Sequence, residues 1–560
     1  MKHGFDLWQN GIKIGLLFGA VGLLLALIGM VEAFSQRSVI SEIISMGHTL
    51  LLLTVLFGGA LAARRARRRE SAYPMLQGLL AGLAAGGVLS LLPLAGGWVN
   101  LRKVFINASP VLYKLLTFDL GEEGGTAALL LFGALCGLAG GLFYLASPLT
   151  RRVLGTALGC VVVCGVLQDL LRPTFSLWGP LAAMNDWLYE ANGLTLGGAS
   201  SLFLVVAAAT FLWEKKGSDV RSGFGRMSPG RQRGLRFAGW ALAAFLLLIL
   251  PQVLGLFLSE VLTIVGLYVL LGLGLNIVVG YAGLLDLGYV AFFAIGSYTV
   301  ALLTSPELGF SQFSFWGALP VAVLLGVFFG VLLGIPVLKM RGDYLAIATL
   351  GFGEIIRILV LSDFLRPWLG GAQGVGKIPK ASLLGMEIAT PQQIYYLILA
   401  GCLLVGFISW RLRDSRLGRA WMALREDEDV AQAMGINLVA TKLLAFATGA
   451  GFSALSGAIF ATKLGSVYPH SFNVMISINI LCVIIVGGMG SIPGVILGAI
   501  ALVGLPELLR EFAEYRLLVY GAVLMAMMLL RPEGLWPEAI RRRELHGEEE
   551  GEVKNSPPPS

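Results

Sequence analysis

Charge is what this chain has least of. Of its 560 residues only 13% are Asp, Glu, Lys or Arg, against about 25% in an ordinary soluble protein. Together with 56% hydrophobic residues and a mean hydropathy of +0.80, that shortage excludes a soluble enzyme. Histidine and cysteine are rarer still, at four and five residues. Cys136, Cys160, Cys164, Cys402 and Cys482 all lie in apolar runs without histidine at ligand spacing, so neither a disulfide framework nor zinc is indicated, and no metal or cofactor is expected. The net charge of +7 does not point to nucleic acid, because the basic residues sit at the ends of apolar runs, where they orient spans.

What the chain has in abundance is apolar runs near or above the ~18 residues that cross a bilayer. The expectation is an all-α polytopic membrane protein with about sixteen transmembrane helices and both termini cytoplasmic. Gly reaches 74 of 560 residues, nearly twice the usual ~7%, as close helix packing and helices broken within the membrane require. The run from Ile14 to about Val31 is long for a signal-peptide core and reads as an uncleaved first span.

Six spans are expected in the first region, at 13–33, 39–62, 75–96, 126–148, 153–171 and 197–213. Arg64, Arg65, Arg67, Arg68 and Arg69, then Arg151 and Arg152, then Lys215 and Lys216 follow alternate spans, which places every basic cluster on one side. No chemical motif stands out in residues 1–214, whose role is open. Residues 215–236 read as a basic cytoplasmic linker. Ten further spans are expected at 237–257, 259–280, 284–304, 317–338, 344–362, 393–410, 440–461, 474–489, 492–509 and 515–531; the glycine-interrupted GGMGSIPG stretch admits a re-entrant hairpin instead. The tail, 538–560, reads as disordered.

One stretch breaks the apolar pattern. Between 411 and 442, eleven residues are Asp, Glu, Lys or Arg, so it lies in water between two spans. Read as a helix over 419–434, it puts Ala420, Leu424, Asp427, Ala431 and Met434 on one small, mostly apolar face, with Gly435 where a glycine ends a helix. Such a helix suits insertion into a partner's groove; the alternative is a solvated loop whose charges only fix topology.

Three segments, GLGLNIVVGYAGLLDLGYVAFFAIGSYTVALL at 272–303, LKMRGDYLAIATLGFGEIIRILV at 338–360 and the charged stretch continuing through AFATGAGFSALSGAIFATKLGSVYPHSF, resemble the M-type permease subunit of branched-chain amino acid ABC importers. The resemblance covers 237–537. It implies a path shared with a homologous second permease, two cytoplasmic ATPase subunits that hydrolyse the ATP, an extracytoplasmic substrate-binding protein, and residence in the cell inner membrane. The charged stretch then becomes the coupling element, with Leu424, Asp427, Glu428, Asp429, Ala431, Met434 and Gly435 facing the ATPase. Of the importers' E-A-A-x-x-x-G pattern, Ala431 and Gly435 match and Asp429 and Val430 do not; the later I-x-L-P is absent.

Ionisable groups inside spans cost roughly 2.5 to 3.5 kcal/mol at a helix centre, which singles out Asp286, Glu354 and Arg357. Glu354 and Arg357 are three apart and suited to a structural ion pair. Asn276, Tyr281, Ser297 and Tyr298 supply the few polar groups a zwitterion with an apolar side chain needs along its path. Glu42 and His48 read as interfacial or packing residues. Gly370, Gly371, Gly374 and Gly376 shape an outer loop against the binding protein. GAQGVGKI at 371–378 imitates a phosphate-binding loop, but Ile378 lacks the hydroxyl that holds Mg²⁺. A urea or amide permease, an ion-coupled secondary transporter and a non-transporting scaffold are the alternatives.

Overall fold

Helices in lipid gain no hydrophobic drive from meeting one another, so they associate where small side chains let backbones approach. The computed structural model shows this in both parts of the chain. It describes residues 2–68, 73–176, 179–190, 192–225, 229–307, 313–383, 385–508, 510 and 515–537. The molecule is an all-α polytopic membrane protein, with two units, Met1–Ala241 and Leu242–Ser560. Residues 538–560, for which disorder was expected, and three residues of the linker, 226–228, lie outside the described residues.

The first unit contains α1 (Lys2–Leu27), α2 (Met46–Arg68), α3 (Pro74–Trp98), α4 (Gly121–Leu145), α5 (Pro148–Val166) and α6 (Leu196–Gly225). On α3, Gly78, Gly82 and Gly86 repeat every fourth residue; on α4, Gly133, Gly137 and Gly141 do the same. The two rows meet, and a Cβ on Gly82 would stand 2.0 Å from the Gly133 carbonyl oxygen. The second span was expected from residue 39, but residues 38–45 instead form two short strands, β1 (Ser38–Ile40) and β2 (Ile44–Ser45), joined to β3 (Tyr189–Glu190) and β4 (Gly193–Leu194) in the order β2-β1-β4-β3. Glu42 is exposed in the β1–β2 turn with φ 59. His48 packs: its ring nitrogens lie 2.7 Å from Ser45 Oγ and 3.1 Å from the Leu115 carbonyl oxygen, and the ring stacks on Phe118.

The second unit contains α7 (Pro229–Leu275) from Leu242 onward, α8 (Val290–Thr304), α9 (Phe315–Val337), α10 (Asp343–Leu361), α11 (Pro391–Arg413), α12 (Arg416–Glu426), α13 (Glu428–Ala433), α14 (Leu438–Leu464), α15 (Val474–Gly487), α16 (Ile492–Ala499) and α17 (Arg516–Leu530). Its centre is α14. Gly326, Gly330 and Gly334 of α9 lie against Ala454, Ala450 and Leu443, while Gly296 of α8 meets Ala454 and Gly457 meets the Phe293 carbonyl oxygen.

Broken helices take the place of several loops. The spans expected at 237–257 and 259–280 correspond to two helical segments of α7 that meet at Gly255, whose backbone is non-helical (φ 76, ψ −173). Pro251 has no N–H for the Leu247 carbonyl, and Tyr395 supplies a hydroxyl 3.1 Å away; Gln392 Nε2 donates to Pro251 O at 3.1 Å. A π-helical segment, Asn276–Tyr281, follows α7. Twelve helices among the described residues are long and apolar enough to cross a membrane; Val290–Thr304, Ile492–Leu508 and Tyr520–Leu529 are shorter. The count of twelve takes Phe237–Tyr281 once, although it is broken at Gly255, and leaves out the three shorter helices, so it does not test the sixteen expected. At 1.5 Å per residue, the 15 residues of α8 reach only about 22 Å.

The GGMGSIPG stretch joins α15 to α16 in a tight helical hairpin, where a Cβ on Gly487 would stand 2.1 Å from the Gly494 carbonyl oxygen. The end of α15 is closed by residues from the far end of the chain: Leu535 N donates to Val486 O and Trp536 N to Gly487 O, at 2.8 and 2.9 Å.

The α3–α4 seam yields a direct test. Gly82→Leu, which drives a side chain into opposing backbone, is expected to destabilise the full chain in detergent by at least the roughly 1–3 kcal/mol of ordinary overpacking. Gly87→Ala on the same helix, where the nearest atom is a Leu130 methyl at 3.9 Å, is expected to leave it unchanged. Thermal unfolding of the two variants side by side checks this.

Candidate functional site

The charged stretch folds as two helices, which corrects the single helix expected over 419–434. The break is at Asp427, whose backbone is extended (φ −158, ψ 118) and whose carboxylate accepts from the N–H groups of Asp429 and Val430 at 2.8 and 3.0 Å. An acidic side chain that caps the second helix ends the first. The expected face is thereby divided: Leu424 and Ala431 are buried, while Asp427 and Met434 are exposed. Trp421 anchors α12 from inside, fully buried, with Nε1 donating to Thr441 O at 2.9 Å.

Glu428 carries more of this corner than its place in the sequence suggests. Its carboxylate lies 2.8 Å from Lys442 Nζ and 3.0 Å from Arg341 Nε. The Lys442 side chain is only 4% exposed and also donates to Leu338 O at 3.3 Å. The triad therefore ties the 338–342 loop to the starts of α13 and α14. Arg341 reaches Asp429 as well, at 2.8 Å, and holds that carboxyl below the usual carboxylate range. A depressed acid contributes stability above its ordinary range and loses it as pH falls through the lowered value, so this contact is present at neutral pH. Facing outward from the corner are Val430, Met434 and Val439, each more than half exposed, with Gly435 in the left-handed region at φ 86.

Arg425 leads inward. Its Nη1 donates to Gly280 O in the π-helical segment at 2.8 Å, and its stem fills the space where Gly283 lacks a side chain. Residues 276–290 are gripped from several helices. Asn276 Oδ1 accepts from Gly490 N at 2.9 Å; Thr349 Oγ1 accepts from Leu287 N and Ser477 Oγ from Val290 N, both at 3.0 Å; the Tyr289 hydroxyl donates to Gly449 O at 3.1 Å. Asp286 is fully buried, with Oδ1 accepting from Gly288 N and Oδ2 without a hydrogen-bond partner among the described residues. Tyr281 is buried beside them.

The remaining intramembrane residues fall into two groups. Ser297 Oγ donates to Phe293 O and Gly457 O, both at 2.9 Å, and so belongs to the α8–α14 seam. Tyr298 and Arg357 come together at one small cavity, lined also by Ala291, Ala294, Gly353 and Phe472. The Tyr298 hydroxyl is buried and unpartnered there. Arg357 and Glu354 form an ion pair at 2.7 Å, each side chain about one-third exposed.

Gly370, Gly371 and Gly374 have φ values of 77, 59 and 66, and the loop continues as a bridge between Val375 and Val467. Gly376 N donates to a Glu307 carboxylate oxygen at 2.8 Å. A loop whose amide already holds a carboxylate is no cradle for phosphate, in keeping with the missing hydroxyl at Ile378. Sequence reasoning missed Arg341, Arg425 and Lys442, although a lysine just inside an apolar run after an acidic cluster is a legible sign of the Glu428 contact.

Breaking a buried ion pair from one side costs about 3–5 kcal/mol, because the remaining charge stays buried. Glu428→Gln is therefore expected to lower the thermal stability of the purified chain strongly, and adding Lys442→Met is expected to restore most of it. Equal melting temperatures for Glu428→Gln and the unaltered chain would remove the triad's structural role.

Residues 257–530 match a family model described as "Branched-chain amino acid transport system / permease component". The chain is 42% identical over 269 residues to the high-affinity branched-chain amino acid transport system permease protein LivM of Escherichia coli K12, an alignment covering 44% of this chain and 62% of that protein. It is 29% identical over 198 residues to LivH of the same strain, covering 32% of this chain and 62% of LivH. It is 28% identical over 225 residues to the autoinducer 2 import system permease protein LsrC of Escherichia coli O9:H4, covering 38% and 63%. The chain thus spans less than two thirds of the length of each. No solved structure matches it. Over residues 257–530, this chain is similar to the branched-chain amino acid transport permeases, LivM among them.

Proposed function

We propose that the chain is the transmembrane permease subunit of an ATP-driven importer that moves branched-chain amino acids across the cell inner membrane. The observation that carries this reading is the 42% identity to the LivM permease over the second unit. Residues 237–537 form the permease, and the six helices of 1–214 are an addition of unassigned role. A homologous second permease completes the path, an extracytoplasmic binding protein delivers the substrate, and two cytoplasmic ATPase subunits hydrolyse ATP. The loop of Gly370, Gly371, Gly374 and Gly376 meets the binding protein.

The outward corner at Val430, Met434 and Gly435 is the ATPase contact, with Asp427, Glu428 and Asp429 setting its shape and Leu424 and Ala431 seating it from beneath. Arg425 links that corner to the π-helical segment and so to the start of α8, on which Tyr298 lies. A push on α13 is thereby carried through one guanidinium–carbonyl contact to a helix beside the path. Tyr298, with the Glu354–Arg357 pair, offers an apolar passage a few polar groups of both signs, which suits a zwitterion with an aliphatic side chain. Asn276, Tyr281, Asp286 and Ser297 support that passage.

Reconstitution of the chain with its partner subunits, assayed with radiolabelled leucine and urea in parallel, is expected to give ATP-dependent leucine uptake. Urea uptake with none of leucine would overturn the cargo class. Gly435→Val is expected to abolish leucine uptake while the protein remains in the membrane, because a β-branched residue does not adopt φ 86, and Gly435→Asn, which tolerates that region, is expected to retain most of it. Normal uptake by the valine variant would leave the corner a mere connector.

A further inference from the structure

The first unit takes no part in the permease reading, yet one end of it has the features of a ligand site. There α3 begins where α2 and α4 finish. A Cβ on Gly141, near the end of α4, would stand 3.6 Å from Met75 Cα, and one on Gly140 would meet the Leu56 carbonyl oxygen and Ala60 N of α2. Between the first turns of α3 and the last turns of α4 lies a cavity of about 490 Å³, lined by Tyr73, Pro74, Met75, Leu79, Leu138 and Leu145 among others. That is within the range of ligand pockets, roughly 300–1,000 Å³. Its wall carries no charged side chain. It lies at the ends of apolar spans, Pro74–Trp98 and Glu123–Leu145, which is the depth where acyl chains meet headgroups.

Cations surround this end. Arg64, Arg65 and Arg67 are exposed on the last turns of α2; they lie four to seven residues beyond Ala60, roughly 6–10 Å along the helix axis. None of the three makes an ion pair among the described residues. From the other side Arg151 stands over the Tyr144 ring, 5.3 Å from its centroid, next to the cavity residue Leu145. An apolar cavity alone admits any lipid; exposed guanidinium groups at the same end of the helices, without an ion pair among the described residues, select a negative headgroup, each basic residue near a membrane surface contributing roughly fivefold in affinity.

We propose that this cavity seats an acyl chain of an anionic phospholipid from the surrounding bilayer, with the headgroup held by Arg64, Arg65 and Arg67. The site is independent of transport and concerns a part of the chain to which no role is otherwise assigned. It makes the first unit a lipid-reading attachment whose occupancy follows membrane composition.

The test uses the full chain in detergent, titrated with phosphatidylglycerol and with phosphatidylcholine of the same acyl chains, with bound lipid counted by native mass spectrometry. Preferential retention of phosphatidylglycerol is expected. Replacing Arg64, Arg65 and Arg67 together by Gln is expected to lower it by roughly tenfold or more, while replacement by Lys retains it. Leu138→Trp and, separately, Leu79→Trp, which fill the cavity, are expected to lower it in protein whose circular dichroism is unchanged. Equal retention of the two lipids by the unaltered chain, or undiminished phosphatidylglycerol binding by both tryptophan variants, overturns the proposal.

Discussion

Every backbone carbonyl released inside a membrane must find a donor within the protein, because lipid offers none. The second unit depends on meeting that constraint wherever its helices break. Pro251 and Gly255 interrupt α7, and the hydroxyls of Tyr395, Tyr396 and Ser259 and the amide of Gln392 take up the carbonyls so exposed. At the π-helical segment the donor comes from further away: Arg425 from the charged corner serves Gly280 O. The breaks are therefore the points where distant parts of the chain are tied together.

Much of this was legible in the sequence and some was not, for reasons that separate cleanly. Hydropathy located the spans because length and apolarity are properties of a local window; all six expected in the first unit correspond to helices. The start of the second was misplaced, since residues 38–45 are as apolar as a span but bond sideways to 189–194, a partner 150 residues away that no window sees. The boundary expected between 237–257 and 259–280 falls close to the break at Gly255, because a stretch that apolar and that long must turn once within it. Asp427 was placed on a helical face by periodicity, whereas its capping carboxylate overrides the period.

In the candidate site, residue types were easier to read than their partners. Glu354 and Arg357 were paired from their spacing alone, and the structure shows that ion pair. Glu428 stood out only as one acid among four; its tie to Lys442 and Arg341 joins segments that are 14 and 87 positions apart. Asn276 looked like a polar group along a passage and is found accepting a hydrogen bond from the loop of the α15–α16 hairpin.

That same hairpin has its turn end bonded by Leu535 and Trp536, with Gly534 lying against Gly488. These are among the last described residues of the chain. A ribosome delivers them after α15, α16 and α17, so α15 is made with the carbonyls of Val486 and Gly487 unclosed and acquires these bonds only once residue 536 has been added. The order of synthesis thus leaves the end of α15 unclosed until α17 has been made, and a chain that stops short of residue 535 lacks both of those bonds.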